Sequence, residues 1–544
     1  MTTPLHRRLL DQALRHAPSR GGWLHLPDLP RDYRGPTDVP YEPFDAKRDT
    51  PILSLLDQAA SRWPDRVAFA DPDRALGFAA LADAVARLAA RLRAVPARGP
   101  AGVLLPPGVG AGVALFACLA AGRVALMLDA TQAPARNADL AGRGGAVLLL
   151  GPAAALGGVE GQRPVVPIEA GFEAAGPPPR GEGLGLDEPA FVVCTSGSTG
   201  EPKMLAYSQR GVLQQVAMQV DGNHLSERDR FLLPTALATI SGLCSLFLML
   251  SGCTVDIVQL SAFGIADLRR RMRDAPPSVL RAGPSLLRTL VQLPDARAVF
   301  APLRAVRLSG EPVLRADLEP LWPLLPPGCL VWNRYGSTEM IGTSWVALPG
   351  DDHGTPRIPA GLSDPEVEMR IVDAAGLPCR PGEPGELWLR GRYGALGDWG
   401  PDGLMPGRLE PDPEDPSLRI HRTGDMARLL PDGVLEVLGR ADRMVKINGH
   451  RVELAEVETA LRRHAEVREA AVIARATEAR VALHAFVVAA ADAAPGLETR
   501  LRHAMREALP RYMQPARIAL LDALPRLQGG KLDERALLAR DARG

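Results

Sequence analysis

Short runs of apolar and β-branched residues alternate with longer helical stretches through much of the first 300 residues of the chain. The run at 102–105 is followed by a stretch of helical spacing at 113–121, and the run at 279–280 by another at 286–293. Each pair has the pattern of a strand followed by a helix, and repeated strand–helix units build a parallel sheet covered by helices. The alternation therefore predicts an α/β fold with parallel-rich sheets.

The sequence pattern changes twice in the later part of the chain. From 365 to 439, short strands are separated by Pro, Gly and Asp turns, which is typical of β-hairpins. A second α/β block follows, with predicted helices at 453–463 and 497–509. A chain of 544 residues exceeds what one hydrophobic core usually supports, so we expect more than one domain. The predicted domains are residues 1–441 and 442–544.

The composition argues against several classes of protein. The chain has 63 Lys and Arg residues against 63 Asp and Glu residues, and it is 46% hydrophobic, so it is neither disordered nor strongly charged. A neutral balance gives no reason to expect a nucleic acid or an anionic membrane as partner. The six cysteines form no Cys-x-x-Cys pair and no Cys/His ligand spacing, which favours a cytoplasmic protein without disulfides or zinc.

Two segments resemble targeting or membrane segments. The first 20 residues are cationic but have no apolar core, so they predict a packed leader helix rather than a signal peptide. Residues 231–255 carry no charge over 25 positions, a length that could span a bilayer. Pro234, Gly242 and Gly252 interrupt this run, so we interpret it as a buried strand and helix that line a pocket. We expect no membrane insertion.

The strongest local signal is an apolar strand that runs directly into a loop of small residues. The strand at 191–194 precedes six residues rich in hydroxyl groups and glycine, followed by Pro202 and Lys203. Glycine lets backbone N–H groups approach an anion, hydroxyls add donors, and lysine supplies a point charge, so the loop predicts a phosphate site. The alternative is a flexible Ser/Gly linker, and the spacing excludes a P-loop NTPase. The predicted phosphate-binding residues are Thr195, Ser196, Gly197, Ser198, Thr199 and Gly200.

Lysine is rare in this chain. Four of its 63 basic residues are lysines, and elsewhere the sequence uses arginine. The lysines could mark positions that require a compact ammonium group, or the bias could reflect chance and codon usage. The four are Lys47, Lys203, Lys446 and Lys531.

Five motifs, at 195–203, 333–339, 422–425, 439–453 and 525–533, lie in order along the chain. Together they resemble the motifs of the adenylate-forming superfamily: acyl-CoA synthetases, adenylation domains of nonribosomal peptide synthetases, and luciferases. The motif at 333–339 matches the pattern Asn-x-Tyr-Gly-x-Thr-Glu, and three of the four lysines lie in these motifs. The motifs are most similar to those of peptide-synthetase adenylation domains. The resemblance implies a large N-terminal domain with a distorted β-barrel subdomain and a small, mobile α+β C-terminal domain.

The resemblance also implies a two-step ligase reaction. A carboxylic acid and ATP give an acyl-adenylate and pyrophosphate, and the acyl group then passes to a phosphopantetheine thiol. Because two anions must meet, catalysis requires positioning and charge neutralisation. By resemblance, the catalytic residues are Lys531 between the α-phosphate and the carboxylate, Lys203 near the phosphates, Thr338 at the α-phosphate, and Glu339, which holds Mg²⁺. The residues implied at ATP are Ser309, Gly310, Glu311, Asn333, Tyr335, Gly336, Asp425 and Arg440.

In the same family the small domain presents two faces to the active site in turn, because a lysine that grips ATP must leave before a bulky thiol cofactor enters. One face carries Lys531. The other face would admit the thiol, and Gly449 would let a pantetheine arm pass close to the backbone. The residues implied at the hinge and on this second face are Asp442, Lys446, Gly449 and Arg451.

The acid pocket is predicted from the segment 234–250. Thr239 stands where α-amino-acid-activating domains place an aspartate, and a buried ammonium needs that anion, so we expect a different class of acid. Arg334, and with it Arg281 and Arg307, would favour a substrate with a second anionic or polar group. Alternatively, these arginines point away and pair with carboxylates. The residues predicted to line the pocket are Thr239, Ile240, Leu243, Arg281, Arg334 and Gly342.

Two thiols remain open as the acceptor. The chain reaches Gly544 without a carrier domain or a phosphopantetheine attachment motif, so we expect a separate carrier protein. The alternative is an acyl-CoA or aryl-CoA ligase that uses free coenzyme A. A kinase or ATPase and a non-catalytic adenylate-binding module are the competing classes. The presence of Lys203, Glu339, Asp425 and Lys531 argues against the non-catalytic module.

Overall fold

The fold is described from a computed structural model. The described residues are 17–18, 22–25, 36, 39–106, 108–159, 163–172, 183–195, 202–407, 409–431, 433–440, 444–476, 481–490, 493–525 and 532–541. Several predicted features lie outside these ranges, namely most of the leader helix, the loop residues 196–200, Asp442 and Lys531. The side chains of Arg440 and Arg451 are likewise outside the description.

The helices form where apolar residues recur at helical spacing. The α-helices of the described residues are α1 (Ile52–Arg62), α2 (Phe78–Ala94), α3 (Gly110–Ala120), α4 (Pro134–Arg143), α5 (Ala153–Leu156), α6 (Gln209–Asn223), α7 (Ile240–Leu246), α8 (Leu260–Asp274), α9 (Pro284–Val291), α10 (Ala296–Phe300), α11 (Arg315–Leu318), α12 (Leu454–Arg462), α13 (Leu497–Ala508) and α14 (Glu534–Asp541). In α2, for example, Leu81, Val85, Leu88 and Leu92 are buried along one face.

The strands are short, as expected for α/β and hairpin structure. Those of the large domain are β1 (Ala17–Pro18), β2 (Leu24–His25), β3 (Val67–Ala70), β4 (Ala75–Gly77), β5 (Ala101–Leu105), β6 (Ala125–Asp129), β7 (Leu148–Gly151), β8 (Val165–Pro167), β9 (Pro189–Thr195), β10 (Lys203–Ser208), β11 (Arg230–Leu233), β12 (Thr254–Ile257), β13 (Val279–Ala282), β14 (Ala305–Ser309), β15 (Leu330–Gly336), β16 (Ile341–Ala347), β17 (Leu362–Ser363), β18 (Val367–Val372), β19 (Gly385–Gly391), β20 (Gly397–Gly400), β21 (Gly403–Met405), β22 (Leu409–Pro411), β23 (Arg419–Leu429) and β24 (Leu435–Arg440). Those of the small domain are β25 (Met444–Ile447), β26 (His450–Glu453), β27 (Val467–Ala476), β28 (Val481–Ala489) and β29 (Arg517–Leu520).

Two large sheets build the core of the N-terminal domain. One has the strand order β21-β20-β10-β9-β6-β5-β7-β8, and the other has the order β17-β16-β15-β14-β13-β11-β12-β3-β4. Their central strands are parallel, as the strand–helix alternation predicts. In the second sheet, Val279 and Ala305 face the main core, whereas Leu280 and Val306 face a second core on the other side. Side chains therefore alternate between two buried faces.

The region predicted to form β-hairpins contributes most of a third, antiparallel sheet. Its strand order is β1-β2-β18-β19-β23-β22, and β24 pairs with β23. The small domain has a hairpin, β25-β26, and a sheet of order β27-β28-β29. Its own core includes Val457, Leu461, Val472 and Leu501. The prediction of an α/β fold with a large N-terminal and a small C-terminal domain is confirmed, while the predicted boundary at 441 falls on residues outside the description.

The uncharged run at 231–255 forms a strand and a helix. It contains β11 and α7, and Leu243 and Leu246 of α7 are buried. The interpretation as a buried strand–helix unit is therefore confirmed. None of the described helices combines the length and the hydropathy needed to cross a bilayer.

Candidate active site

A cleft of about 840 Å³ lies at the carboxyl ends of parallel strands from both large sheets and is bordered by the small domain. Ligands of α/β proteins bind at this edge because the loops that follow the strands converge there. Many of the predicted site residues line the cleft although they are far apart in sequence. They are Thr195, Thr239, Ile240, Arg281, Ser309, Gly310, Glu311, Arg334, Tyr335, Gly336, Thr338, Lys446 and Gly449.

Two residues predicted to line the acid pocket lie behind its wall. Leu243 is fully buried in the main core, and Cys244 lines the cleft beside it. A Cβ added to Gly342 would lie 2.8 Å from Leu389, and Ile341 lines the cleft instead. The sequence identifies the correct segments here but not which residue of each segment faces the cleft.

Asn333 has a different place from the one predicted at the adenine edge. It precedes Arg334 in β15, so the two side chains point to opposite faces of the sheet. Its amide group donates to the carbonyl oxygens of Ile358 and Pro359 over 3.1 and 2.8 Å. Asn333 thus anchors a neighbouring loop and is not among the described residues that line the cleft.

The residues predicted at adenine, ribose and the thiol meet at Tyr335. Its hydroxyl group donates a hydrogen bond to the carboxylate of Asp425, and both side chains are buried. Asp425 pairs in register with Arg440 across β23 and β24. The ammonium of Lys446 lies 5.7 Å from the centroid of the Tyr335 ring, within the range of a cation–π contact. One aromatic ring therefore joins three motifs of the sequence.

Glu339 is a buried carboxylate next to the cleft, 2% exposed. The hydroxyl oxygen of Ser337 accepts hydrogen bonds from the backbone N–H groups of Glu339 and Met340, which fixes the turn. The His421 Nε2 atom lies 3.9 Å from a carboxylate oxygen of Glu339. Burial, and then the charge of Glu339, raise the pKa of Tyr207.

The donor set fits a Mg²⁺ ion that arrives with a nucleotide. Among the described residues, no group of three or more His, Cys, Asp or Glu side chains could hold a metal ion by itself. Mg²⁺ in phosphate-transfer sites takes one or two carboxylates and completes its shell with phosphate oxygens and water. Glu339 meets that requirement as a single buried carboxylate.

The two ends of the Ser/Gly loop are joined by the sheet. Strands β9 and β10 are antiparallel, and Thr195 and Lys203 are partners in register. The described residues that flank the Ser/Gly segment are therefore held beside each other by the sheet. Lys203 is the first residue of β10 rather than part of a helix.

Three arginines lie on one face of the nine-stranded sheet, at the end of the cleft predicted to hold the acid. Arg281 and Arg307 are partners in register on the parallel strands β13 and β14. On β15, Arg334 is the register partner of Ser309. Ser309 lies two residues after Arg307 on β14, so Arg334 shares the face of Arg307. Asp364 forms an ion pair with Arg334 at 2.8 Å. The side chains of Arg281 and Arg307 are 9% and 4% exposed, respectively.

Arg281 and Arg307 have neutral hydrogen-bond partners. Arg281 donates to the hydroxyl oxygens of Ser241, Ser245 and Ser309 at 2.7–3.0 Å. Arg307 donates to the side-chain oxygen of Gln219 over 3.0 Å. Burial, and then the charge of Arg334, lower the pKa of Arg281 to about 10, and the same causes lower the pKa of Arg307. Gln219 was not predicted, because no sequence motif links it to Arg307.

Thr239 supplies no charge to the cleft. Its hydroxyl oxygen accepts from the backbone N–H of Gly242 over 3.0 Å, and its hydroxyl donates to the carbonyl oxygen of Ala236 over 2.9 Å. These bonds cap α7. The acidic residues among those that line the cleft are Asp129 and Glu311.

The small domain inserts a hairpin turn into the cleft. Asn448 and Gly449 have φ angles of 49° and 78°, as a tight type I′ turn between β25 and β26 requires. The tip packs closely on the large domain, since a Cβ added to Gly310 would lie 3.1 Å from the Gly449 Cα atom. The face with Lys446 and Gly449 is thus the one that borders the cleft.

Two further contacts near the cleft were not predicted from the sequence, one between the domains and one within the small domain. Arg136 of α4 and Glu456 of α12 form an ion pair at 2.8 Å and are 12% and 3% exposed. The rings of His450 and Tyr512 stack at 3.9 Å beside the cleft. These pairs join segments separated by tens to hundreds of residues, and none belongs to a pattern of local spacing.

Sequence profiles of two related families match this chain. The profile of the AMP-binding enzyme family matches residues 56–399, and that of the AMP-binding enzyme C-terminal domain matches residues 456–531. This chain belongs to the AMP-binding enzyme family. The predicted membership of the adenylate-forming superfamily is confirmed.

Relatives of this AMP-binding enzyme include a tripeptide synthetase. Phosphinothricin tripeptide synthetase PhsC from Streptomyces viridochromogenes is 34% identical over 509 residues, which is 91% of this chain. The chain spans 45% of the length of PhsC.

Two solved structures share the fold over most of both chains. PA1221, an NRPS protein with adenylation and PCP domains, is 26% identical with a TM-score of 0.75 over 91% of this chain and 85% of that chain. A malonyl-CoA ligase with methylmalonyl-CoA and AMP bound is 27% identical with a TM-score of 0.70 over 85% of this chain and 97% of that chain.

Proposed function

We propose that this AMP-binding enzyme adenylates a small carboxylic acid and transfers the acyl group to the phosphopantetheine thiol of a separate carrier protein. In the first step a carboxylate oxygen bonds to the α-phosphorus of ATP, and the bond from that phosphorus to the β-phosphate oxygen breaks to release pyrophosphate. In the second step the thiolate attacks the acyl carbon, and AMP leaves. The alternative acceptor is free coenzyme A.

The nucleotide would occupy the part of the cleft around Tyr335. The Asp425 carboxylate holds the Tyr335 hydroxyl and has further acceptor capacity for ribose hydroxyls. Thr338 would donate to the α-phosphate. Glu339 would hold Mg²⁺, which offsets the charge of the phosphates when it is bound. Lys531 is proposed to bring an ammonium group between the α-phosphate and the carboxylate.

The contact of Gly449 with Gly310 carries the proposal of a second step. A glycine on each side leaves room that side chains would fill, and Lys446 lies above the Tyr335 ring at the same place. A narrow pantetheine arm would pass beside this contact, where neither glycine places a side chain in its path. The contact supports a thiol-transfer role for this face of the small domain.

The comparisons support both acceptors. PA1221 combines adenylation and PCP domains, and PhsC is a peptide synthetase, which favours a carrier protein. The malonyl-CoA ligase contains methylmalonyl-CoA, which favours coenzyme A. We place the carrier protein first because the peptide-synthetase relative has the higher identity, 34% against 27%.

The acid end of the cleft supports a substrate other than an ordinary α-amino acid. Thr239 is neutral and its hydroxyl group is committed to α7. Arg281 and Arg307 would repel an ammonium group nearby. An acid without an α-ammonium avoids both penalties.

Exchange of labelled pyrophosphate into ATP tests the first step. We expect exchange that depends on an added carboxylic acid, and a large loss of exchange in Lys531→Ala with nucleotide binding retained. Lys47→Ala is the matched control, since Lys47 lies outside the motifs and pairs with Glu42 at 3.0 Å. Release of ADP and phosphate instead would identify a kinase or ATPase. Exchange in Lys531→Ala at the wild-type rate would contradict the assigned role.

Thioester formation tests the second step and its acceptor. Purified carrier protein bearing phosphopantetheine and free coenzyme A are supplied in parallel to wild type, Lys446→Ala and Gly449→Ala. We expect both variants to lose thioester formation while pyrophosphate exchange persists, because the changes lie on the thiol face. Equal losses in both assays would contradict the proposed division between the two faces. Faster transfer to coenzyme A would favour the alternative acceptor.

A further inference from the structure

We propose that the substrate acid carries a second group that is anionic at neutral pH, such as another carboxylate or a sulfonate, which binds between Arg281 and Arg307. This inference rests on the proposed adenylation function and names the class of acid that the site accepts. The α-ammonium of an amino acid and the plain hydrocarbon tail of a fatty or aryl acid are the chemistries that it excludes. The carboxylate to be activated would lie at the other end of the acid, towards Thr338.

Strand geometry places the two guanidinium groups side by side. Arg281 and Arg307 are direct partners across the parallel strands β13 and β14, so their Cβ atoms point to the same side of the sheet. Both line the cleft, and the side chains are more than nine-tenths buried. Two buried like charges on adjacent strands repel each other, and a nearby anion would offset this repulsion.

No carboxylate in the described part of the chain pairs directly with either group, although the charge of Asp364 partly opposes the lowering of the Arg307 pKa. No carboxylate among the described residues lies within ion-pair distance of Arg281 or Arg307, and their hydrogen-bond partners are serines and an amide. Asp364 is already engaged with Arg334 at 2.8 Å and with the Ser344 hydroxyl at 2.7 Å. The Nε atom of Arg281 is buried without a hydrogen-bond partner among the described residues. The positive charge at this end of the cleft is therefore available to a ligand.

Neutral partners also orient the guanidinium groups. Three serine hydroxyls and the Gln219 oxygen accept from Arg281 and Arg307 without neutralising them. Arg307 has one hydrogen bond, to Gln219, among the described residues, so its planar guanidinium group can donate two parallel hydrogen bonds to a carboxylate or sulfonate, while Arg281 adds positive charge beside it. The arrangement favours a flat, charged group over a hydroxyl or an amide.

The test compares each α,ω-dicarboxylic acid with its own mono-amide, from malonate to adipate, by pyrophosphate exchange. The pair has the same shape, and only the diacid has the second charge. In wild type we expect the best diacid to exceed its mono-amide by about 30-fold or more in kcat/KM, as for a charge-assisted hydrogen bond in a closed site. In Arg307→Gln, and in Arg281→Gln, we expect this ratio to approach one. A sulfonate series tests the second anion type.

Two controls separate this inference from neighbouring explanations. Arg270→Gln removes an exposed arginine of the same domain and should leave the ratio unchanged. If the Arg281 and Arg307 variants raise the KM for ATP equally with diacids and mono-amides, the guanidinium groups serve the nucleotide and the inference is wrong. A wild-type ratio of one or less at every chain length also overturns it, while exchange itself still supports adenylation.

If no acid in the panel supports exchange, that result counts against the proposed function. A measurement of anion binding still tests the inference in that case. The unfolding temperature of wild type and of Arg281→Gln/Arg307→Gln is measured with malonate to adipate and with chloride at equal ionic strength. We expect at least one dianion to raise the temperature of wild type more than that of the double variant. Equal shifts in the two proteins would overturn the inference.

Discussion

The arginines of the nine-stranded sheet have carboxylate partners near the amino ends of the strands and, among the described residues, differ in this respect near the carboxyl ends. Arg230 is the first residue of β11, and Asp256 pairs with it at 2.7 Å. Arg304 immediately precedes β14, and Asp229 pairs with it at 2.8 Å. Asp256 also pairs with Arg271 of α8 at 2.7 Å. Near the carboxyl ends, Arg281 and Arg307 have no carboxylate partner among the described residues, although they are the more deeply buried. The same residue type is therefore compensated where it holds strands together and uncompensated where the cleft begins.

The difference teaches that the missing carboxylates are specific to the cleft. Elsewhere in the same sheet, buried carboxylates pair with arginines. Asp364, for example, pairs with Arg334 on β15, the strand next to the one that carries Arg307. A charge that is buried without its counter-ion destabilises the fold, and proteins retain such costs chiefly at functional sites. Stability and function should therefore respond in opposite directions to changes at the two ends.

The largest effect is expected at the compensated end. Asp256→Asn leaves Arg230 and Arg271 without their fully buried partner and should lower the free energy of unfolding by about 3 kcal/mol. Denaturation in urea measures it. Asp267→Asn breaks the more exposed pair with Arg270 and should cost less than about 1 kcal/mol. Equal losses in the two variants would show that burial does not set the value of these pairs.

The opposite sign is expected at the cleft. Arg307→Met/Gln219→Leu removes an uncompensated charge together with its neutral partner and should raise the free energy of unfolding by about 1–4 kcal/mol. The same urea titration measures it, and pyrophosphate exchange should lose its preference for diacids. A decrease in stability would mean that Arg307 is compensated in the folded protein, and the comparison would fail.

The smallest effect concerns His450, a basic side chain whose burial favours its neutral form. Burial lowers the pKa of His450 from 6.5 to about 4, with Asp129 opposing the shift, where its ring stacks on Tyr512 beside the cleft. When the small domain is not docked on the large domain, we expect His450 to have its ordinary pKa of 6.5. Below that pH, His450 takes up a proton in the undocked state but not in the docked state. The small domain therefore docks on the large domain most tightly above pH 6.5, and this docking weakens as the pH falls below that value.

Thioester formation from preformed acyl-adenylate should reveal this linkage. We expect docking to be about threefold weaker at pH 6 than at pH 7 in wild type, and this part of the pH dependence to vanish in His450→Gln. His503→Gln, an exposed histidine of the same domain, should keep the wild-type profile. Parallel profiles for wild type and His450→Gln would exclude His450 as the titrating group.

Much of the site could be predicted from the sequence because its parts are local motifs. Tyr335, Thr338 and Glu339 lie within one strand and the turn after it, and Lys446 and Gly449 lie within one hairpin. Residue type and spacing are sufficient to recognise such units. Their convergence on one cleft follows from strand order, since carboxyl ends of parallel strands share an edge.

Side-chain partners over long separations could not be predicted. The sequence left open whether Arg281, Arg307 and Arg334 face the pocket or pair with carboxylates, and the outcome differs among them. Arg334 has Asp364, which is brought near by the pairing of β15, β16 and β17. Leu243 and Gly342 lie in the predicted segments but face away from the cleft, because a shift of one residue reverses the direction of a side chain in a strand and turns it by about 100° around a helix.

The sequence by itself determined the fold class and the family, because these depend on periodicity and on residues close together in the chain. The tertiary structure alone decided which arginines have a counter-ion and which face of the small domain meets the cleft. Both depend on charges brought together from distant segments. Coulomb energies are set by separation in space and by burial, and neither quantity is encoded in local spacing.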